Sequence, residues 1–545
     1  MKKYKESHQH QYQLLPPNLG ELIDSKHLVR VIDEFVSSLS SAVWDHAFPG
    51  GGAPSYHPQM MLKIILYAYA IKIYSCRLIA RAVRQDVTFM WLAGMKKPSF
   101  NTINRFRSEY LQSVLPKVFT ELLIFLKDKG YIHFSDYFID GTKLKADAGA
   151  HSYVWKKNAQ RYRACVLTRV NKLFEEIDDL NDNEDQKYGD RDILESTTES
   201  QISSEEIRAI AKQAEAHISD ISCKKKQRSL NSKVSKLKEE AEKLDKYDQQ
   251  NETFNGRNSY SKTDKDATFM RLKNNLLRPA YNVQISTENQ FVTHYTVSQN
   301  ASDSASFPDH LQKLLERGEM FLPENYVGDS GYGCEENYFL LKKNNISNYL
   351  KYSMFHWDLK GKNKKYPFHH SQFIYDQDKD VMICPAGHSL YYKETGKQKK
   401  SSGFIANIRI YESECCSSCV YKPECTKSKG NRRVVYNPLL QEYKKEAWLN
   451  LTSEKGVIFR KRRGYEPETF FGDLRHNQGF DRFSLRGLIK TDHELGLLAI
   501  AYNLRKYARI ELKKHLLFIN VLILSLNKLF FWKNSKNVCC HTVFA

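Results

Sequence analysis

The sequence of 545 residues lacks the phosphate-cradling pattern G-x-x-x-x-G-K-[ST], which argues against chemistry driven by ATP hydrolysis. Residues 1–13 are polar and lack the apolar core of a signal peptide, so no secretion signal is expected. One apolar run, residues 516–532, is interrupted by polar side chains and has only the minimum length for crossing a bilayer. We therefore expect a cytoplasmic protein without membrane contact, whose residues 513–545 form a docking helix or an appended tail.

Acidic residues are too few to balance the basic ones: 63 Asp and Glu stand against 83 Lys and Arg, a formal net charge of +20. Such an excess favours a polyanionic partner, because each neutralised phosphate releases counterions. Lysines scattered over an ordinary soluble surface are the alternative. The chain is also too long for one compact core, so two to four structural units are expected.

The N-terminal region, residues 1–130, has the pattern of a helical DNA-binding domain. Pro58 suits the first turn of a helix whose apolar residues follow at helical spacing. Short helices with arginines on one side follow, and these arginines are candidate DNA contacts; they are Arg77, Arg81, Arg84, Arg105 and Arg107. A helical packing domain without DNA contacts remains the alternative.

From residue 131 the pattern changes to strands and helices in alternation. The predicted elements are a strand leading into Asp140, a hairpin, a helix, a strand ending on Asp329, a helix and a strand; the last five cover 280–286 with 291–298, 307–317, 326–328, 335–343 and 346–352. This order is typical of an RNase H-like mixed sheet flanked by helices, in which carboxylates meet at adjacent strand ends.

Two segments interrupt this pattern. Residues 147–268 are charged and predict an inserted, mostly helical and partly mobile segment. Residues 356–455 form a second insertion rich in Cys, Tyr and Lys, and helices return in 456–512. The predicted fold class is therefore α/β: an RNase H-like core that begins in 131–355, carries two insertions and follows an all-α N-terminal domain.

Three carboxylates are candidate metal ligands. Asp140 follows a hydrophobic strand and precedes Gly141, and Asp329 lies in a glycine-rich turn after a strand. Hard carboxylate oxygens are the ligands that Mg²⁺ prefers, and two-metal phosphodiester chemistry needs several of them together. Taken alone, each aspartate fits a turn or helix-cap residue better than a metal ligand.

The third carboxylate is predicted to be Glu468. Pro467 suits the first position of a helix, which puts Glu468 in the first turn, and Arg475 lies two turns further on the same face. Glu466 points roughly the other way at about 100° per residue. A solvated helix start is the alternative interpretation of this segment.

These residues resemble insertion-sequence transposases of the DDE class, in particular the insertion-sequence family eleven-eighty-two. The resemblance runs from about residue 57 to 509, with residues 180–250 poorly covered. It rests on five motifs in order, namely His57-Pro58, Asp140-Gly141-Thr142-Lys143, Tyr281-Asn282-Val283-Gln284, residues 328–333 and residues 480–487.

The resemblance implies that Asp140, Asp329 and Glu468 bind Mg²⁺ or Mn²⁺. It implies that water cleaves the element end and that the freed 3′-hydroxyl attacks target DNA. The family's last motif has its proline after the glutamate, whereas Pro467 precedes it here, which leaves Glu466 as an alternative ligand. Arg475 stands where related elements carry lysine.

The implied partners are the terminal inverted repeats and target DNA, bound by a homodimer assembled on DNA in the bacterial nucleoid. Lys143, Arg463 and Arg475 are candidate phosphate contacts, although each is equally consistent with a surface charge. A catalytically decayed DNA-binding protein and an RNase H-like nuclease without strand transfer are the competing functions.

The cysteines suggest a second metal site. Without a secretion signal, the 11 cysteines indicate cytosolic thiols or metal ligands rather than disulfides. Cys416 and Cys419 have zinc-knuckle spacing, and Cys384 and Cys425 complete a tetrahedral set for a structural Zn²⁺. His388 is an alternative to Cys384, and a redox pair or free thiols are alternatives to zinc. The other cysteines, including Cys539 and Cys540, show no ligand pattern.

Overall fold

The structure is a computed structural model that describes residues 18–44, 55–188, 202–218, 223–361, 367–400 and 402–538. The side chains of residues 178–188, 217 and 516–538 are not described. The polar N-terminal residues 1–13 and the pair Cys539 and Cys540 therefore lie outside the described residues, as do the side chains of the apolar run at 516–532.

The N-terminal region is helical, as predicted. Its helices are α1 (Leu28–Ser38), α2 (Pro58–Ala70), α3 (Cys76–Gln85), α4 (Val87–Leu92), α5 (Phe100–Arg105) and α6 (Leu111–Asp128), with a π-helical turn at Phe106–Tyr110 and short 3-10 turns at Leu19–Leu22 and Ser41–Val43. Pro58 occupies the first turn of α2, where its missing N–H costs no hydrogen bond. Asp86 separates α3 from α4 by accepting a hydrogen bond from the Thr88 amide at 2.8 Å.

A six-stranded mixed sheet forms the centre. Its elements are β1 (Asp136–Lys145), β4 (Thr268–Arg271), β5 (Leu277–Glu288), β6 (Phe291–Ser298), α10 (Asp303–Arg317), β7 (Asn325–Gly328), α11 (Glu335–Lys343) and β8 (Ser347–Leu350), with a 3-10 turn at Glu319–Phe321. The strand order is β4-β5-β1-β7-β8, and β6 also pairs with β5. β5 is antiparallel to β1, β4 and β6, whereas β7 is parallel to both β1 and β8.

The hairpin between β5 and β6 is tighter than its sequence suggests. Four residues, 287–290, were expected to connect the strands, but the strands extend to Glu288 and from Phe291. Asn289 and Gln290 form the turn with φ of 52° and 64°. Two successive positive φ angles match the right-handed twist of the strands, and asparagine tolerates this conformation well.

The described residues of the charged segment between β1 and β4 include three helices. They are α7 (Lys156–Tyr188), α8 (Ser204–Ile218) and α9 (Lys224–Phe254). Strand β2 (Tyr153–Trp155) precedes these helices and β3 (Ser259–Ser261) follows them, and the two strands pair with each other. Valine, leucine, isoleucine and alanine side chains from all three helices form a separate buried cluster. The predicted helical character is thus confirmed, and the helices carry a small core of their own.

The cysteine-containing segment forms a second, antiparallel sheet. Its strands are β9 (Ile374–Asp376), β10 (Val381–Ile383), β11 (Ser389–Lys399), β12 (Ile405–Ser413) and β13 (Arg433–Tyr436), adjacent to one another in chain order. Helix α12 (Phe355–Leu359) and a 3-10 turn at His370–Gln372 precede this sheet, and the short helix α13 (Lys422–Cys425) lies between β12 and β13.

The remaining helices return to the central sheet. They are α14 (Pro438–Thr452), α15 (Glu454–Arg462), α16 (Glu466–Gly472), a π-helical turn at Asp473–Asn477, and α17 (Leu488–Val538). Helix α17 packs on β6, α2 and α6. No helix among the residues that the structure describes is both long enough and apolar enough to cross a membrane.

One hydrophobic core joins the N-terminal helices to the sheet. It runs from Ile23 through the buried faces of α1 to α6 and the central strands to Leu504 on α17. The described residues of this region, 18–44 and 55–130, therefore share their core with the rest of the described chain. Sequence periodicity does not reveal this, because it shows that a face is apolar without showing what covers it.

Candidate active site

Strand pairing brings Asp140 and Asp329 together. The parallel register of β1 and β7 aligns Tyr137 with Tyr326 and Phe138 with Val327. Two residues after Phe138 lies Asp140, within β1, and two residues after Val327 lies Asp329, just past the end of β7. Parallel neighbours carry side chains at matching heights, so the two carboxylates meet at one edge of the pairing.

Asp140 lies within its strand and not at the strand end that the sequence suggested. β1 continues to Lys145 because its second half pairs with β5 through Lys145. The neighbouring strand β7 is the one that ends at this level, at Gly328. The carboxylate is therefore displayed where the neighbouring strand stops, while its own backbone remains held in the sheet.

Arg463 lies between these two aspartates. Its Nη2 is 3.0 Å from Asp140 Oδ1 and 3.4 Å from Asp329 Oδ2. Burial raises the pKa of the Asp140 carboxyl to about 6; Arg463 opposes this shift, while Asp329 and Glu468 add to it. The three carboxylates thus repel one another in a partly desolvated place, and one guanidinium compensates part of that repulsion.

The two glutamates of α16 differ in their surroundings. Glu466 is 2% exposed, and its carboxylate accepts hydrogen bonds from Arg462 Nη2 at 2.9 Å and from the Gln290 amide at 2.5 Å. Glu468 is exposed and acts electrostatically on Asp140 and Arg475. Glu466 therefore joins α16 to the β5–β6 turn, whereas Glu468 makes no such bond within the described residues and acts on Asp140.

Arg475 lies beside β1, although a π-helical turn replaces the second α-helical turn that the sequence suggested. Its Nη2 donates to the Thr142 hydroxyl and, at 3.2 Å, to the Lys143 carbonyl. Burial lowers the pKa of Arg475, and Glu468 and Asp140 raise it. Arg475 thus lies on the Glu468 side of the site. Lys143 contributes its backbone carbonyl there, whereas its side chain alternates with those of Asp140 and Thr142 along β1 and points to the opposite face of the sheet.

A fourth carboxylate, Asp303, was missed in the sequence. It begins α10, and its Oδ1 accepts hydrogen bonds from Asn282 Nδ2 at 2.8 Å and Gln284 Nε2 at 2.9 Å. Gln284 Oε1 accepts in turn from the Tyr332 hydroxyl. The signal was the Tyr281-Asn282-Val283-Gln284 motif, whose two amides alternate along β5 and therefore point to the same face.

Glycines allow this crowding. A Cβ on Gly141 would lie 2.4 Å from Gln284 Nε2 and 2.6 Å from Asp303 Oδ1. A Cβ on Gly331 would lie 3.0 Å from Asp329 Oδ1 and 3.7 Å from Asp303 Oδ2. Asp303 thus borders both glycines that adjoin the aspartates, and side chains at these positions would push the carboxylates apart.

Further basic groups flank Asp329. Burial lowers the pKa of Lys351, with Arg463 and Arg460 acting in the same direction and Asp329 opposing them. Lys351 directly follows β8, the strand next to β7. No local sequence pattern marks Lys351 as part of the site, because only the pairing of β7 with β8 brings it there.

The arginines predicted to contact DNA differ in accessibility. Arg107 is 5% exposed and donates to the Tyr69 hydroxyl at 3.1 Å and the Tyr74 carbonyl at 2.9 Å. It is therefore an internal structural residue and not a surface contact, which corrects the expectation for Arg107. Arg105 is exposed and pairs with Glu109 at 3.2 Å.

The arginines of α3 are all exposed. Arg77, Arg81 and Arg84 recur at helical spacing, opposite the buried Ile79 and Val83. This helix presents a continuous basic face, which is the arrangement that a phosphate backbone requires.

The donor chemistry of the acidic cluster suits a hard divalent cation, because every candidate ligand is a carboxylate oxygen. Within the described residues, however, no group of three or more His, Cys, Asp or Glu side chains forms a ready metal site. Arg463 occupies the gap between Asp140 and Asp329. The residues fit a metal in kind and charge, and Arg463 would have to move for an ion to bind both aspartates.

Comparison with known families gives two matches. A family model described as "Transposase DDE domain" matches residues 383–508, and one described as "Transposase domain (DUF772)" matches residues 17–109. Glu468 lies in the first range, and Asp140 and Asp329 lie in neither. No curated protein and no solved structure matches the chain significantly. The two similarities support a DNA transposase of the DDE class, of the kind that insertion sequences encode.

Proposed function

We propose that this transposase binds the ends of its own insertion sequence and catalyses metal-dependent cleavage and strand transfer with Asp140, Asp329 and Glu468. The observation that carries the proposal is that Arg463 forms ion pairs with both Asp140 and Asp329, at 3.0 and 3.4 Å, while α16, which carries Glu468 in its first turn, packs on β1. The central strand order, with three antiparallel strands beside three mutually parallel ones, supports an RNase H-like core. Membership of the insertion-sequence family eleven-eighty-two is part of the proposal.

The three carboxylates would hold Mg²⁺ or Mn²⁺. Divalent ions bound there would activate the attacking water or 3′-hydroxyl and stabilise the leaving oxygen of the phosphodiester. Asp140 supplies an oxygen from a rigid central strand, and Glu468 supplies one from the first turn of a helix. Asp303 borders Gly141 and Gly331 and adds negative charge beside the site.

The basic residues around the cluster would hold the DNA backbone. Arg475 lies on the Glu468 side, and Lys351 and Arg460 lie on the Asp329 side. Metal binding by the aspartates would free the planar Arg463 guanidinium, whose geometry suits two phosphate oxygens. A phosphodiester placed between the two groups would meet cations on both sides and carboxylates beneath it.

The test uses the purified full chain and DNA that carries the element ends. Cleavage and joining products are measured with Mg²⁺, with Mn²⁺ and with chelator, for the wild type and for Asp140→Ala, Asp329→Ala and Glu468→Ala. Each variant should lose cleavage while binding the ends within a few-fold, because no basic surface is removed. Asp309→Ala is the matched control, since Asp309 is exposed on α10 and forms an ion pair with the neighbouring Lys313, away from the acidic cluster.

Three results would contradict the proposal. Undiminished cleavage by the Asp140 variant would exclude it from the metal site. Cleavage without joining would indicate a nuclease on the same fold. End binding by the wild type without any cleavage would indicate a decayed element. Because such enzymes act on two ends, we also propose a homodimer assembled on DNA, which mass measurement of the complex with paired ends would detect.

A further inference from the structure

The second sheet carries four cysteines that converge on one small cavity. Cys384 follows β10, whereas Cys416, Cys419 and Cys425 lie on the connection between β12 and β13. All four line a cavity of about 30 Å³. Strands β10 and β12 are separated by β11, so the sheet folds residues from distant parts of the segment towards one point.

Two of the sulfurs accept backbone hydrogen bonds. The His388 amide donates to Cys384 Sγ at 3.3 Å, and the Arg432 amide donates to Cys416 Sγ at 3.4 Å. The Cys384 turn is closed further by the Gly387 amide, which donates to the Cys384 carbonyl at 2.8 Å. Backbone amides that donate to sulfur are the kind of outer-shell partner that orients cysteine ligands in a metal site.

The sheet has little else to hold it together. Its buried cluster consists of five side chains, namely Phe373, Met382, Leu390, Tyr411 and Val434. Most residues of β11 are exposed, including those at 391–395 and 397–399. A sheet with so few buried side chains resembles the small domains that depend on a metal or on disulfides for stability.

We propose that Cys384, Cys416, Cys419 and Cys425 bind one structural Zn²⁺ that orders this sheet. Four thiolates form a closed tetrahedral set, with zinc–sulfur bonds of about 2.3 Å. The four cysteines line the cavity, but among the described residues no three such side chains are close enough together to hold a metal as they stand. Binding therefore draws the connection between β12 and β13 towards the Cys384 turn.

The neighbouring alternatives fit less well. Cys415 directly precedes Cys416, but it is exposed, does not line the cavity and lies 2.9 Å from the Ser417 hydroxyl. His388 does line the cavity, yet it is an exposed residue whose amide already serves Cys384. The four cysteines are free thiols, so no disulfide competes for them.

Zinc in this sheet would act on the catalytic half through two contacts. Ser402, at the β11–β12 connection, donates to Glu336 Oε2 at 2.7 Å, and Asn437, just after β13, donates to Glu335 Oε2 at 2.6 Å. Both glutamates begin α11, the helix that follows Asp329. The zinc would thus be structural, because a closed four-thiolate site leaves no position for water or substrate.

Metal analysis of the full chain tests this proposal independently of DNA cleavage. Protein purified under reducing, chelator-free conditions should contain about one zinc ion per chain, as a single tetrahedral site requires. Cys416→Ser should lose the zinc and become protease-sensitive between residues 367 and 437. Cys415→Ser is the matched control and should keep both the zinc and the protease resistance. His388→Ala should also keep the zinc.

Cobalt provides a second measurement if Cys416→Ser does not fold. Wild-type protein loaded with Co²⁺ should show the intense thiolate charge-transfer absorption of a four-sulfur site. Zinc near zero after incubation with excess zinc and desalting would overturn the proposal. Equal loss of zinc from the Cys415 and Cys416 variants would also overturn it, and loss from His388→Ala would show that the ligand set is wrong. None of these readouts requires transposase activity, so the proposed function can fail while this inference stands.

Discussion

Arg463 bonds to Asp140 with a separation of 3.0 Å between guanidinium nitrogen and carboxylate oxygen, and it reaches Asp329 with the same nitrogen. A single cation thus neutralises part of the charge of two carboxylates that lie on different strands. Divalent ions favoured by the same oxygens must compete with this guanidinium. Arg463 therefore links the occupancy of the acidic cluster to the availability of a phosphate-binding group.

Replacing Arg463 with glutamine should tighten divalent-metal binding in the absence of DNA. The substitution removes the competing cation while leaving every carboxylate in place. Mn²⁺ titration followed by electron paramagnetic resonance should give a lower dissociation constant than for the wild type. Lys461→Gln removes an equal charge from an exposed position on α15 and should leave the constant unchanged. Weaker binding by the Arg463 variant would mean that the guanidinium supports the metal site instead.

Substitutions of the two glutamates of α16 should have different effects: loss of Glu466 should lower stability, and loss of Glu468 should abolish cleavage. Glu466→Ala should lower the free energy of unfolding by about 3 kcal/mol, because it removes the buried carboxylate that accepts from both Arg462 and the Gln290 amide. Arg462 then retains its longer polar contacts to Asp136 and Asn289. Glu468→Ala should unfold at nearly the wild-type temperature, since Glu468 is exposed, while cleavage is abolished. Thermal unfolding and a cleavage assay on both variants test this pair. A stable, inactive Glu466 variant beside an active Glu468 variant would reverse the assignment.

Asp303→Asn should reduce cleavage by roughly 10- to 100-fold, the usual cost of losing a residue that supports metal ligands. Asparagine keeps a carbonyl oxygen for the Asn282 and Gln284 amides, so the fold should be retained. The cleavage assay therefore reports the loss of the Asp303 negative charge beside Gly331. Asp309→Asn, on the exposed face of the same helix, should cleave normally. Full activity of the Asp303 variant at unchanged stability would make Asp303 a helix-start residue only.

The basic face of α3 should bind DNA, whereas Arg107 should not. Arg81→Gln is expected to weaken binding to the element ends and to reduce the salt slope by roughly 0.9 for each phosphate that the variant no longer neutralises. Arg107→Met should instead cost at least about 2 kcal/mol of stability, because it strips partners from buried hydroxyl and carbonyl groups. Fluorescence anisotropy at several salt concentrations, together with thermal unfolding, separates the two effects. A folded Arg107 variant with a reduced salt slope would restore it as a DNA-binding residue.

Much of the local structure follows from the sequence. The helix at Glu335–Lys343 has the predicted bounds, and β6 and β7 agree with prediction to within one residue. Apolar periodicity and start signals such as Pro58 are properties of neighbouring residues, so they are readable without knowledge of the fold. The order of strands and helices around the two aspartates follows in the same way.

Boundaries that depend on pairing were harder to predict. β1 continues past Asp140 because β5 pairs with it, and the hairpin turn at Asn289 and Gln290 is shorter than its polar residues suggest. Strand ends are set by the partner strand, whose alignment is a long-range property. The same holds for α1, α2 and α6, which pack against α17 from the other end of the chain.

The sequence by itself determined the basic charge, the alternation of strands and helices, the candidate carboxylates and the cysteine spacing. Only the tertiary structure decided that Asp303 joins the aspartates, that Glu466 is buried, and that Arg107 is internal. The physical reason is that charge and periodicity are inherited directly from residue order. Burial, hydrogen-bond partners and the pKa of Asp140, in contrast, are set by residues that are distant in the chain and meet only when the sheet and its helices pack together.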